Sequence, residues 1–184
     1  MSRLVVVAGP TAVGKGTLVN ALRQRRPDIW VSVSATTRAP REGEAEGVHY
    51  FFVTPHEFDR MIRDGELLEW AVVHGVHRYG TPRGPVEERL AANVPVVLEI
   101  DLQGMRQVRE TMPEALFVFV EPPSFDALIE RLEVRGTEGE AERARRLETA
   151  REEMRAAGEF DVTIVNDVLD DAVTELEGII ASAR

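Results

Sequence analysis

The stretch Gly9-Pro10-Thr11-Ala12-Val13-Gly14-Lys15-Gly16-Thr17 constrains this chain more than any other. It follows an apolar run, Leu4–Ala8, and opens a helical pattern, Thr17–Arg26, that stops before Pro27. A strand that enters a helix through a glycine-rich turn is the context a phosphate-binding P-loop requires. The glycines let backbone N–H groups turn inward around an anion, and the helix N-terminus adds partial positive charge. Of the 22 basic residues only Lys15 is a lysine, and it lies inside this turn. A general arginine bias explains the other basic residues but not the one position that kept lysine. A compact ammonium serves the β- and γ-phosphates where a broad planar guanidinium would not fit. The plain alternative, a strand–turn–helix with no ligand, is the weaker reading of that spacing in that context.

The usual motif places Ser or Thr directly after the lysine to meet Mg²⁺. Here that position is Gly16, and the hydroxyl comes one residue later, at Thr17. Mg²⁺ is therefore expected to be held mostly by ATP oxygens and water, as its reluctance to dehydrate allows.

The rest of the composition narrows the class. A chain of 184 residues suggests one domain, and 43% hydrophobic with 29% charged residues is ordinary for a globular protein. With no cysteine, disulfides, thiolate zinc sites and cysteine nucleophiles are excluded. A net charge of −10 argues against broad nucleic-acid or anionic-membrane binding, but not against a local basic pocket for a small phosphate. Leu4–Ala8 is too short for a signal peptide, and no run approaches the roughly 18 apolar residues of a membrane span. The expected location is the cytoplasm.

Strand and helix patterns alternate along the chain. Strands are expected at Leu4–Ala8, Trp30–Ser34, Val48–Val53, Leu67–Val73, Val94–Ile100, Leu116–Val120 and Val162–Val165. Helices are expected from Thr17, from Thr54-Pro55 to about residue 64, from Thr81-Pro82 to about residue 92, and after Asp101 to about residue 111. Three more follow: from Ser124 to about residue 134, a charge-dense helix to about residue 157, and one from about residue 170. Residues 35–47 read as a loop, and 135–139 as a hinge. Continuous Val/Leu/Ile strands alternating with helices indicate an α/β fold with a parallel sheet flanked by helices. Two stretches break that rhythm: a strand-rich polar one from Ser34 to Thr81, and a charged helical one from about Phe125 to Ala157.

With these segments in view the chain resembles the guanylate kinases, which make GDP from GMP and ATP. The resemblance rests on Gly9–Thr17; Ser34-Ala35-Thr36-Thr37-Arg38-Ala39-Pro40-Arg41-Glu42-Gly43-Glu44; Gly47-Val48-His49-Tyr50-Phe51-Phe52; Leu68-Glu69-Trp70-Ala71; and Tyr79-Gly80-Thr81. It continues through Leu98-Glu99-Ile100-Asp101-Leu102-Gln103-Gly104, Pro122-Pro123-Ser124, Arg135-Gly136-Thr137-Glu138 and Asn166-Asp167. The segment His74–Arg78 is irregular against the family. The resemblance implies a single domain, 1–184, with a P-loop NTPase-type core (1–33, 82–124 and 158–184). It also implies a strand-rich GMP-binding insertion, 34–81, and a helical lid, 125–157. The implied ligands are ATP with Mg²⁺, and GMP or dGMP; the implied ATP-binding residues are Gly9, Pro10, Thr11, Ala12, Val13, Gly14, Lys15, Gly16 and Thr17.

The chemistry of the matched residues agrees with those roles. Arg38 and Arg41 lie three apart in a polar stretch, with Tyr50 and Tyr79 on neighbouring segments. Two guanidinium forks and two phenols can saturate a dianionic monophosphate; alone, the arginine pair is equally a solvated loop. Glu69 interrupts an apolar strand. Read alone it is a solvent-facing residue of an alternating strand, whereas the resemblance makes it the acceptor for guanine N1–H and N2–H. The same resemblance makes Ser34 and Thr81 hydroxyl donors to O6. Asp101 ends the strand Val94–Ile100, where carboxylates commonly serve Mg²⁺ or its waters. Glu99, two residues earlier, either shares that role or anchors an arginine; Asp101 is the favoured residue, and is also grouped with the GMP contacts. By resemblance Arg135 and Arg146 are lid arginines that close over the transferred phosphoryl group, joining Lys15 and Arg41 as catalytic residues. Arg143, Arg145 and Arg151 read as a solvated helix face. No general base is needed, because the GMP phosphate is already an anionic nucleophile.

Two other readings remain beside this one. A guanylate-kinase-like protein-interaction domain without catalysis would have a degraded phosphate loop, and this loop is intact. A kinase for another nucleotide is disfavoured by Glu69, since an ionised carboxylate only accepts. A metal site built on His74 and His77 lacks further ligands, and nothing orders Ser, His and Asp as a triad.

Overall fold

The computed structural model describes residues 3–73, 75–134 and 140–183, without the side chains of 133–134 and 140–143. The elements begin with β1 (Leu4–Ala8), α1 (Lys15–Arg25), β2 (Trp30–Val31), β3 (Ala35–Thr36), β4 (Phe51–Phe52), α2 (Pro55–Arg63), β5 (Leu67–Val73) and β6 (His77–Pro82). They continue with α3 (Arg83–Ala91), β7 (Val96–Glu99), α4 (Leu102–Thr111), β8 (Leu116–Glu121), α5 (Phe125–Val134), α6 (Glu140–Arg155), β9 (Val162–Val165) and α7 (Leu169–Ser182).

Strand β1 is buried along its whole length, which is what a run without polar alternation requires of a sheet covered on both faces. It pairs in parallel with β7 and β8, and the sheet has the order β2-β7-β1-β8-β9 with every pairing parallel. Successive side chains of β1 divide the core in two. Val5 and Val7 face a cluster with Leu18 and Leu22 of α1, Leu128 of α5 and Leu176 of α7. Leu4, Val6 and Ala8 face the other cluster, with Val86 of α3 and Met105 and Val108 of α4. The glycine turn therefore leaves the sheet at the carboxyl end of its central strand, where ligands of such sheets bind.

Residues 35–82 build a second, mixed sheet of order β4-β3-β6-β5. Its small core is Ala35, Phe58, Met61 and Leu67. Helix α2 starts as its sequence demands. Thr54 Oγ1 accepts from the Glu57 N–H at 3.1 Å, Glu57 accepts from the Thr54 N–H at 2.7 Å, and Pro55 takes the first helical position. The second sheet is clasped to the first layer by α4. The Gln107 amide accepts from the Trp70 N–H at 3.0 Å and donates to the Trp70 carbonyl at 2.9 Å. Thr111 donates to the Leu68 carbonyl at 2.8 Å.

Several expected boundaries move. Ala35–Thr36 is a strand inside the expected loop, and the expected strands at Trp30–Ser34 and Val48–Val53 contract to two residues each. Strand β6 has no counterpart among the expected elements. His77–Pro82 lacks apolar alternation, and it becomes a strand because β5 and β3 pair with it on both sides. Helix α3 consequently begins at Arg83, not at Thr81-Pro82. The charged helix ends at Arg155 and tightens into a 3₁₀ turn, Ala156–Glu159. His74 and the expected hinge at 135–139 lie outside the described residues.

The approach of β5 to β6 is close at Gly80, where a Cβ would sit 2.7 Å from the Glu69 carbonyl oxygen and 2.9 Å from the Trp70 Cβ. Backbone blocks that position, so Gly80→Ala is expected to lower the unfolding free energy by about 1–3 kcal/mol, the usual range for overpacking. Urea denaturation reads this directly, and an unchanged midpoint would show that the two strands have slack there.

Candidate active site

The turn between β1 and α1 is fixed by contacts on its carbonyl side. A Cβ on Gly9 would lie 2.2 Å from the Val120 carbonyl oxygen, so the strand β8 backbone excludes any side chain there. Ala12 and Gly14 adopt left-handed backbone, with φ of 67° and 96°. Lys15 folds back over the turn and donates to the carbonyls of Gly9 at 2.6 Å and Pro10 at 3.2 Å. The Val13 carbonyl accepts from Asn166 Nδ2 at 2.9 Å and from an Arg131 guanidinium nitrogen at 3.1 Å. Helix α1 has no side-chain cap and no acid in its first turn. Its N-terminal N–H groups are therefore not neutralised by a carboxylate of the first turn.

Two cavities of about 510 Å³ flank the turn. One is lined by Thr11, Ala12, Gly14, Lys15, Gly16, Thr17 and Glu99. The other lies toward α5 and β9 and is lined by Val13, Thr17, Arg131, Asn166, Asp167 and Leu169 among others.

Three carboxyls in this region are held above their ordinary range. Glu99 is exposed at the cavity wall, yet partial loss of water around its carboxyl raises it, and Lys15 pulls it back in part. Burial also pushes up Glu153 of α6, which accepts from the Thr11 N–H at 2.8 Å and feels Lys15 and Asp101. Glu69 is the most buried of the three, at 8% exposure. Burial raises it, the Thr81 hydroxyl at 2.7 Å lowers it, and Asp101 raises it further. Asp101 itself caps α4 by accepting from the Gly104 N–H at 2.7 Å. Strand pairing ends at Glu99, so alternation does not carry through to Asp101. Glu99 is the carboxylate that lines the Lys15 cavity.

The second sheet carries the arginine–tyrosine group. Arg38 makes a two-pronged ion pair with Glu44 at 2.8 and 2.9 Å, and its Nε donates to the Tyr79 hydroxyl at 3.1 Å. Its guanidinium lies 5.3 Å from the Tyr50 ring centre, and the Tyr50 and Tyr79 rings meet edge-on at 5.7 Å. Glu44 also accepts from the Arg41 N–H at 2.7 Å. Beside Arg38, the Glu44 carboxyl is lowered to about 2.

Residues 1–183 match the family model described as guanylate kinase. A guanylate kinase of Thermobifida fusca is 56% identical over 180 residues, which are 98% of this chain and 91% of that one. A guanylate kinase of Synechococcus is 54% identical over 177 residues, covering 96% and 93% of the two chains. The chain belongs to the guanylate kinase family. The crystal structure of a guanylate kinase from Anaplasma phagocytophilum superposes with a TM-score of 0.74 at 33% identity, covering 98% of this chain and 85% of that one. A shikimate kinase from Bacteroides thetaiotaomicron, 13% identical with a TM-score of 0.52, shares the fold alone.

Within this guanylate kinase the sequence-expected residues fall into two groups joined by Asp101. Lys15 and the loop form one; Ser34, Arg38, Arg41, Tyr50, Glu69, Tyr79 and Thr81 lie on or beside the second sheet. One arrangement differs from expectation. The single Thr81 hydroxyl proton goes to Glu69, because a buried carboxylate needs a donor, and so it is not directed to a base oxygen. Arg146 lies half-buried on α6, and Arg135 lies outside the described residues. Sequence reasoning assigns no role to Glu153, Arg131 or Glu44, and none to Asn166 beyond its motif. Among the described residues no three His, Asp or Glu side chains cluster as a metal site. Nor is any helix there long and apolar enough to cross a membrane.

The Glu69 carboxyl carries a pH signature. Its folded value lies above the ordinary 4.5, so between the two the folded protein keeps a proton that the unfolded chain has lost. Its stability contribution is complete below the ordinary value and is lost as pH rises through the raised one. A glutamine at this position cannot titrate. The stability difference between the Glu69→Gln variant and the wild-type protein should therefore move in favour of the variant as pH rises from about 4 to about 8. Paired urea denaturations across that range check this, and a difference independent of pH would place Glu69 in a water-like environment.

Proposed function

We propose that this guanylate kinase transfers the γ-phosphoryl group of ATP to GMP, and to dGMP, in the cytoplasm, and that its site residues divide the work as follows. Lys15 and the Gly9–Thr17 loop take the ATP phosphates, the Thr11 N–H excepted because Glu153 holds it, with the nucleoside toward Asn166 and Leu169. Glu69 accepts from guanine N1–H and N2–H, Ser34 serves O6, and Thr81 orients the Glu69 carboxylate. Arg38, Arg41, Tyr50 and Tyr79 take the GMP phosphate. Residues 34–81 act as the GMP-binding insertion, and 125–157 as the lid that brings Arg135 and Arg146 over the transferred group.

The observation that supports this division is the placement of Asp101. It lies within electrostatic reach of the buried Glu69 and of Glu153, which is bonded to the phosphate loop. The carboxylate proposed to read the base and the acid bonded to the phosphate loop thus share one charged neighbour at the α4 N-terminus. A GMP phosphate oxygen attacks the γ-phosphorus; the bond to the β–γ bridging oxygen breaks, and ADP leaves with that electron pair. Charge spreads over the equatorial oxygens, where Lys15 and the lid arginines stabilise it. Closure of the two segments excludes water as a competing acceptor.

Mg²⁺ fits the oxygen donors present. The Thr17 hydroxyl and Glu99 carboxylate line the Lys15 cavity, and hard cations take such donors with water and phosphate. When bound with ATP it would neutralise phosphate charge. We assign its vicinity to Glu99 and Thr17, with Asp101 left to the α4 cap.

A coupled ADP-release assay with GMP, dGMP, AMP, CMP and UMP tests the reading. GMP should lead, dGMP follow, and the others fall far behind. Lys15→Arg should stay folded yet lose about 3 kcal/mol or more of transition-state stabilisation, the scale of a preorganised charged donor. Turnover near the wild-type rate in that variant would withdraw the role of Lys15.

A further inference from the structure

Both helices of the proposed lid touch the phosphate loop. From α5, Arg131 donates to the Val13 carbonyl at 3.1 Å. From α6, the Glu153 carboxylate accepts from the Thr11 N–H at 2.8 Å. The acids Glu148 and Glu152 on the same helix are exposed, whereas Glu153 is half-buried. Ala150, three residues before it, is fully buried in the core cluster, and Leu147 packs against that cluster. Arg146, Ala150 and Glu153 stand at i, i+4 and i+7, so they share one face of α6. Arg146 and Glu153 are then about 10 Å apart along the axis. A bond at one end of this face fixes the register of the helix against the loop, and so fixes where the other end arrives.

We propose that Glu153 is a positioning residue for phosphoryl transfer: by holding the Thr11 N–H it sets the register of α6 on the phosphate loop and thereby places Arg146 over the transferred group. This rests on the role given to Arg146 above. The contact needs an acceptor and not a charge, because its donor is a neutral backbone N–H. That requirement separates it from a carboxylate that merely stands in for a phosphate anion. A stand-in would compete with ATP, and its removal would tighten ATP binding.

The test compares Glu153→Ala, Glu153→Gln, Arg146→Ala and the Glu153→Ala/Arg146→Ala double variant in steady-state kinetics with ATP and GMP. Folding of each is checked by thermal denaturation, and ATP affinity is measured by calorimetry. Glu153→Ala should lower kcat by about tenfold or more with both KM values within about threefold. Glu153→Gln, whose amide oxygen still accepts from Thr11, should return kcat to within about threefold of wild type. Arg146→Ala should reduce kcat less in the Glu153→Ala background than in wild type, since two residues acting as one unit are not additive. Full kcat in Glu153→Ala, or full additivity with Arg146→Ala, overturns the proposal. So does a Gln variant as slow as the Ala variant with tighter ATP binding, the mark of a stand-in anion. If Arg146→Ala itself leaves kcat intact, the lid reading fails first. If it lowers kcat while Glu153→Ala does not, only the present proposal fails.

Discussion

A loop whose backbone N–H groups are to receive anions can spend few of those groups on holding itself in place, and here two are so spent, at Thr11 and Val13. The β1–α1 turn meets this constraint by being anchored mainly through its carbonyls. Lys15 bonds Gly9 and Pro10, while Asn166 and Arg131 converge on Val13. The anchors come from α1, from α5 and from the turn after β9, so the loop is the place where distant parts of the chain meet. Gly9 adds a steric condition, since the Val120 carbonyl occupies the space a side chain would need. On the N–H side, Thr11 is held by the Glu153 carboxylate. The shape of the cradle is thereby set by contacts within the protein, and preorganisation of that kind makes charged donors effective in a reaction.

The second sheet solves the opposite problem, how to keep a carboxylate in a poorly solvated place. Glu69 lies on β5 where its neighbours Leu67 and Leu68 are buried. Thr81, opposite it on β6, supplies a hydroxyl donor, and α4 closes over the pair so tightly that a Cβ on Gly104 would be 3.0 Å from the Glu69 carboxylate. The Gln107–Trp70 and Thr111–Leu68 bonds then tie β5 to α4. Strand β5 is thus fixed to the core helix.

Much of this is legible in the chain itself. The buried parallel strands read directly from Leu4–Ala8 and Leu116–Val120, because full burial removes polar alternation. The Thr54-Pro55 helix start reads from its capping chemistry, and the phosphate loop from Lys15 among arginines. β6 does not read, since His77–Pro82 has no apolar period and owes its conformation to partners on both sides. Thr36, buried in the same sheet, is hidden in a stretch whose polar composition signals a loop. Glu153 is invisible for a different reason. It is one acid among many on a charged helix, and only the packing of Ala150 turns that face toward the loop. Glu69 stands out because it breaks an apolar run, whereas its bond from the Thr81 hydroxyl does not show in the sequence. Composition does not say which of two acceptors a single proton will choose.

The Arg38–Glu44 pair shows how a site can be built for one anion while holding another. In the free protein every Arg38 nitrogen is engaged: Nε with Tyr79, both terminal nitrogens with Glu44, and one of those also with the Ala39 carbonyl. A monophosphate that reaches this arginine therefore exchanges with, or shares, an existing ion pair. The gain is the difference between a phosphate dianion bound by two arginines and two phenols and a carboxylate already bound by one. A dianion with three oxygens can reach Arg41 and both tyrosines together, whereas a monoanionic carboxylate spans fewer donors. On the proposed role of this arginine, Glu44 would act against weak anions more than against phosphate, with discrimination set by what must be displaced as much as by what is gained. The same carboxylate accepts the Arg41 N–H, so one acid holds the loop that carries both arginines in register.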